Sequence, residues 1–180
     1  MERSLTHIAL FAALIAVLGL VPRIDLAAGV PITAQSLGIM LCGTVLGARR
    51  GGLAVLLFLL LVALGLPLLS GGRGGLGVFA GPSAGFLVGF PVAAFVAGWV
   101  MERTTLSPLA AAMAAAVIGG IGVLYPFGIA GMALVLDLGL QEASYLAFAF
   151  LPGDLIKAVL AGLVTHAIAR ARPGALLSRG

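Results

Sequence analysis

Charge is what this sequence most lacks. Only 9% of its 180 residues are Asp, Glu, Lys or Arg, where an ordinary soluble domain carries about 25%. Such a chain cannot clothe a water-facing surface, which excludes a soluble globular protein, a nucleic-acid binder and a disordered regulator. Cysteine is nearly absent as well. Cys42 stands alone, so there is neither an internal disulfide framework nor a thiolate metal site, and the residue reads as a small buried apolar group. His7 and His166 lie near opposite ends of the chain without carboxylate neighbours at ligand spacing, so no metal is expected. The Gly-x-x-x-x-Gly-Lys-Ser/Thr pattern of a phosphate loop is missing. Any ATP hydrolysis must therefore occur in another protein.

What is present is apolar. Hydrophobic residues make up 62% of the chain, and glycine alone contributes 27 positions, roughly twice its usual share. With no collagen period, that glycine suggests close helix contacts and irregular backbone inside a bundle. A spanning helix needs about 20 apolar residues. Six runs qualify, at 5–21, 35–48, 53–69, 83–101, 109–136 and 143–169. The expectation is an all-α membrane protein: one integral domain over 1–180, folded as a six-helix bundle. The fifth run is punctuated by Gly119, Gly120, Gly122, Pro126 and Gly131, and the sixth is broken by Leu151-Pro152-Gly153-Asp154. The second run is short, giving about 21 Å of helix against a hydrocarbon core of ~30 Å. Either flanking polar residues dip inward there, or the approach segment with Thr33, Gln35 and Ser36 lines a cavity.

Orientation follows from the cations. With six spans both termini share a side, and that side collects Arg3, Arg49, Arg50, Arg103, Arg170, Arg172 and Arg179, while the opposite loops hold only Arg23 and Arg73. Both termini are thus expected in the cytoplasm, with Asp25, Asp137 and Glu142 outside. A cleaved signal peptide is the alternative for the first run, since Arg3, an apolar stretch and Ala27-Ala28-Gly29 loosely fit that grammar. The apolar stretch is longer than the usual signal core of about 7–15 residues. The basic surplus therefore marks membrane topology, not a nucleic-acid partner.

Lys157 is the one cation inside a span, and Asp154 lies one helical turn before it. A charge at mid-membrane costs roughly 2.5–3.5 kcal/mol on insertion scales, so such residues are rare and face an interior cavity. Their i, i+3 spacing puts both on one helix face. Together they offer a carboxylate that accepts hydrogen bonds and an ammonium that donates them. The complement is a small neutral group with N–H donors beside a carbonyl, such as a cyclic urea, amide or lactam. A plainer reading makes Asp154 the N-cap of a helix starting at Pro152-Gly153, with Lys157 balancing its charge. That reading explains the acid and not the costly lysine. The two are compatible, because broken helices at membrane depth are tolerated where they line a cavity.

The loop Ser70-Gly71-Gly72-Arg73-Gly74-Gly75-Leu76-Gly77 reads as a flexible external lid whose glycines allow close approach to a ligand. No strand precedes it, so it is not a phosphate cradle. Arg73 either grips a carboxylate on an incoming solute or stands in water. Ala9, Ala12, Ala13 and Ala16 on the first span form two overlapping Ala-xxx-Ala pairs. Small residues four apart let membrane helices approach closely. They are either a docking face for a partner helix or a chance of alanine-rich composition. Ser83 and Tyr145 are candidate substrate hydroxyls, and for them and Tyr125 the alternative is a helix cap or the membrane interface, where Trp99 also belongs.

Several of these segments resemble one family. Gly29-Val-Pro-Ile-Thr-Ala-Gln-Ser-Leu-Gly38, Leu46-Gly-Ala-Arg-Arg-Gly51, Gly65-Leu-Pro-Leu-Leu-Ser-Gly-Gly72, Phe79-Ala-Gly-Pro-Ser-Ala-Gly-Phe86 and Pro152-Gly-Asp-Leu-Ile-Lys157 are similar to the BioY family, the biotin-specific substrate-binding (S) subunits of energy-coupling factor transporters. The likeness runs from the first span to Arg170, and its most specific parts are the aspartate–lysine motif and the Pro-x-Thr-x-Gln segment. The resemblance implies a six-helix bundle in the bacterial cytoplasmic membrane. Its pocket lies toward the outer face and is closed by the loops after the first and third helices. It implies contact of Asp154 and Lys157 with the ureido ring of biotin, and pocket-lining positions for Gln35 and for Gly74 within the Gly71-to-Gly77 loop. Where the family often has Gly-Pro-Thr, this chain has Ser83, which keeps the hydroxyl. Arg73 is assigned to the biotin carboxylate on charge and location alone. The implied partners are a transmembrane coupling protein and two cytoplasmic ATPases, with the Ala-xxx-Ala face as the contact. Two other functions stand beside this one: a subunit or proton-coupled carrier for another vitamin or heterocycle, and an intramembrane aspartyl protease using Asp137 and Asp154. The protease needs two close carboxylates sharing a proton, which a lysine one turn from Asp154 opposes.

Overall fold

The computed structural model describes residues 2–24 and 30–179, without the side chains of residues 2 and 3. Asp25, the Ala27-Ala28-Gly29 stretch and the Arg3 side chain lie outside the described residues. Among those described, eight α-helices follow one another: α1 (Glu2–Leu18), α2 (Gln35–Leu46), α3 (Ala48–Ala63), α4 (Ala84–Arg103), α5 (Pro108–Val117), α6 (Leu124–Leu136), α7 (Leu140–Phe148) and α8 (Leu151–Ala171). The only extended pairings described are two isolated bridges, Ile24 with Ile32 and Leu69 with Arg73. A π-helical stretch, Ile118–Val123, joins α5 to α6, so Pro108–Leu136 runs as one 29-residue helix. That helix, α4 and α8 are each long and apolar enough to cross a membrane. The outer surface is apolar too: Leu20 and Leu134 are more than 80% exposed. A surface of that kind is at home in lipid, and the chain is a membrane protein.

Local chemistry sets the boundaries. Ser107 caps α5 by accepting from the Ala110 N–H, with Pro108 in the first turn, where its missing donor costs nothing. Pro152 occupies the same place in α8. Leu66 precedes Pro67, whose ring disfavours helical backbone in the residue before it. Gly65, at φ of 102°, supplies the left-handed residue on which helices commonly stop, so α3 ends at Ala63 instead of continuing to 69. The expected arginine loop between the second and third runs is instead one residue long. Gly47, with φ of 85°, turns the chain between Leu46 and Ala48, and Arg49 and Arg50 lie in the first turn of α3. Long cationic side chains reach out from a helix without needing a loop. Glu102 on α4 accepts from the Ala48 N–H at 2.8 Å, satisfying one of the donors a helix start leaves open.

Alanine fills the interior. Ala93, Ala94 and Ala97 on α4, Ala111, Ala112, Ala115 and Ala116 on α5, and Ala158 and Ala161 on α8 are all buried; side chains this small let helices approach closely without a hydrophobic driving force from lipid. The two Ala-xxx-Ala pairs of α1 separate. Ala12 is buried in the core and Ala16 packs partly against it, whereas Ala9 and Ala13 face outward. Helices α2 and α8 run parallel in a fixed register: Ser36 meets Lys157 and Thr44 meets Thr165, both pairs 121 residues apart.

Candidate functional site

The break between α7 and α8 delivers the charged couple. Phe150 takes the N-cap position of α8 and Asp154 sits in the first turn. Its backbone N–H donates to Phe150 in the ordinary helical way. The carboxylate therefore does not cap the helix, and its oxygens point elsewhere. Lys157 Nζ donates to Asp154 Oδ1 at 2.9 Å and to Ser36 Oγ at 2.9 Å. The Ser36 hydroxyl in turn donates to Asp154 Oδ1 at 3.1 Å. Tyr125 on α6 donates its hydroxyl to the other oxygen, Oδ2, at 3.0 Å. The lysine side chain is 14% exposed and the aspartate 8%. Ion pairs this dry persist only where the remaining lone pairs and protons are satisfied, and here three different helices supply partners.

The couple forms one wall of a cavity of about 600 Å³, its open mouth included. Ser36, Thr33 and Gln35 line it from the start of α2 and the segment before it, Ser83 and Arg73 from the third loop and the head of α4. Phe86, Phe90, Leu124, Phe150, Leu69 and Ile32 supply apolar surface. Phe86 is the wedge among them, standing edge-on to Tyr125 at 6.4 Å and to Phe150 at 5.8 Å between ring centres, a favoured geometry for aromatic pairs. A ligand with an apolar body and polar ends meets both kinds of surface here.

Gln35 lines the cavity, but its amide is already engaged. Nε2 donates to the carbonyls of Ile15 and Leu68 at 3.2 and 3.1 Å, and Oε1 accepts from the Ser70 N–H at 3.0 Å. The residue thus ties α1, α2 and the third loop together. Thr33 Oγ1 accepts from the Gln35 N–H. The glycine-rich loop is more ordered than its composition suggests. Gly71 and Gly72, both at positive φ, make the turn bridged by Leu69 and Arg73, and Leu76–Ala80 forms a 3₁₀ helix. Arg73 Nε and Arg23 Nη1 both donate to the Ser70 carbonyl, so the first and third loops meet at one residue.

Two candidates lie elsewhere. Gly74 faces the Leu66 carbonyl, and Tyr145 is 67% exposed on α7 within reach of Gln141. Neither lines the cavity. The protease geometry is not assembled, since Asp137 is the exposed left-handed cap of α6 and Asp154 is paired with a lysine. The described residues contain no group of His, Cys, Asp or Glu able to hold a metal. Tyr125 is the contributor that sequence reasoning placed at a cap or interface. A π stretch rotates the chain less per residue than an α-helix, so residues after it depart from the 3.6 period, and such stretches recur at functional sites. The glycine cluster at 119–122 was the available signal.

Comparison with known proteins is consistent across sequence and structure. Residues 2–174 match the model of the BioY family. The biotin transporter BioY of Rhodobacter capsulatus is 55% identical over 190 aligned positions, covering all of both chains. That of Rhizobium etli is 56% identical over 173 positions, 92% of each. The crystal structure of the S-component for biotin from an ECF-type ABC transporter superposes with a TM-score of 0.88 at 30% identity, covering 94% of this chain and 92% of that one.

Proposed function

The chain belongs to the BioY family, and from that membership we propose that it is the biotin-binding membrane subunit of a vitamin uptake transporter, not an enzyme. The observation that carries this is the Asp154–Lys157 couple, nearly dry, held by Ser36 and Tyr125 and set in the wall of the cavity. The ureido head of biotin presents two N–H donors beside a carbonyl. Its N–H groups suit the Asp154 carboxylate and its carbonyl suits the Lys157 ammonium, while the ring sulfur and aliphatic tail suit the phenylalanine wall. Ser36 bridges the same two side chains. Arg73, on the lining, is the cation we assign to the biotin carboxylate.

The topology we favour has six passes: α1, α2, α3, α4, the continuous α5–α6 helix, and α7 with α8. Both termini lie in the cytoplasm of a bacterial cell and the cavity opens outward. The distribution of arginines supports this orientation, since Arg49, Arg103, Arg170, Arg172 and Arg179 belong to the end remote from Asp154. The whole chain then acts as one integral domain. Its partners in this reading are a transmembrane coupling protein and two ATPases, and the surface available to them on α1 is the exposed Ala9–Ala13 pair, since Ala12 is spent in the core. The test is titration calorimetry on the purified chain. Saturable binding of biotin that riboflavin and thiamine do not compete away is the expected result; competition by another vitamin would reassign the substrate. Bulky replacement of Ala13 should impair co-purification with the coupling module while biotin binding persists.

A further inference from the structure

The two members of the double arginine at the start of α3 have different fates, and neither lines the cavity. Arg50 donates to Ser4 on α1 at 3.1 Å. Arg49 is exposed and, among the described residues, has neither an ion pair nor a hydrogen bond. It stands at the end of an open groove between α3 and α4, walled by Leu53, Leu56, Val92 and Phe95, with Gly52 and Pro91 also on its lining. Glycine leaves the floor bare, for a β-carbon there would meet nothing closer than the Pro91 carbonyl at 3.6 Å. One turn beyond Phe95, Trp99 carries Arg103 over its ring at 5.8 Å, and tryptophan marks the headgroup level of a membrane. The nearby acid, Glu102, is turned to the Ala48 N–H.

We infer that this groove holds an anionic phospholipid, one acyl chain lying between α3 and α4 and the phosphate paired with Arg49. Three things support that occupant. The groove opens on the lipid-facing surface of a membrane protein. Its walls are apolar along its length. Its one cation lies at the end where the tryptophan places the headgroups. Basic groups beside transmembrane helices attract anionic headgroups by about 1 kcal/mol each, which corresponds to about fivefold in affinity.

The test uses the full chain in detergent, titrated separately with phosphatidylglycerol and phosphatidylcholine, with retained lipid counted by native mass spectrometry. Wild type should retain phosphatidylglycerol about fivefold better than phosphatidylcholine. Arg49→Gln should erase the preference, Arg170→Gln should keep it, and Leu56→Trp, which fills the groove from an exposed position, should lower retention of both lipids. Circular dichroism on each variant confirms that the helices persist, and no arm depends on biotin. Equal retention of the two lipids by wild type would overturn the inference. So would an unchanged preference in Arg49→Gln, unchanged retention in Leu56→Trp, or cross-linking of the Leu56→Cys variant to a protein in place of lipid.

Discussion

Helices α2 and α8 are joined by two buried polar clusters, one toward each end of the bundle, and they differ in a way that separates binding from building. At one end Ser36, Asp154, Lys157 and Tyr125 form a charged network beside a cavity. At the other, Thr165 donates to Thr44 Oγ1 at 2.9 Å, and Ser178 donates to the Thr44 carbonyl. That second cluster is neutral, and both threonines are wholly buried. Eight residues of helix, about 12 Å, separate them. Two hydroxyls are enough to hold the register of a helix pair. A carboxylate and an ammonium in the same setting cost far more to desolvate. The ligand role proposed for them accounts for their presence at the cavity end alone.

The comparison breaks most visibly if the charged end is cut. Asp154→Asn or Lys157→Ala strands one buried charge, and removing one partner of such a pair costs about 3–5 kcal/mol. Biotin binding by calorimetry should weaken a hundredfold or more in either variant. Tyr125→Phe is milder. It removes one hydrogen bond to a carboxylate, worth roughly 1.5–3 kcal/mol, and should lower biotin affinity by tenfold or more with the helical content unchanged. Thr165→Val sharpens the contrast from the other side. Losing one neutral hydrogen bond costs about 1 kcal/mol, so the thermal midpoint should fall by a few degrees while biotin affinity stays within twofold. The smallest effect is expected at Tyr145→Phe, whose hydroxyl is exposed and away from the cavity, and whose biotin titration should overlay that of the parent.

Much of this was legible in the sequence, for particular reasons. Asp154 and Lys157 stand out because charge inside an apolar run is costly and therefore rare. The short second run announced itself by length, and α2 is indeed only 12 residues with nearly all its side chains buried. Other features had no such contrast. Phe86, Phe90 and Phe150 wall the cavity, yet in a chain so apolar one phenylalanine looks like another, and only packing distinguishes a wall from a lipid-facing surface. The α2–α3 corner lies at Gly47 and not at the two arginines, because a basic pair looks like a loop while the turn needs only the glycine. Tyr125 was hidden by the π stretch before it. The sequence marks Gln35 as a pocket residue, and it does line the cavity; that its amide braces three segments depends on carbonyls of Ile15 and Leu68, which no side-chain pattern reports.

The most direct test of whether the couple serves the ligand or the fold is the paired replacement Asp154→Asn with Lys157→Gln. Removing both charges leaves neither stranded, which avoids the penalty of an uncompensated buried charge. Thermal midpoint and biotin titration should therefore part company. Stability should return close to that of the parent, while affinity remains at least a hundredfold down. Binding restored to within a few-fold of the parent, together with stability, would show that the two charges serve only the fold.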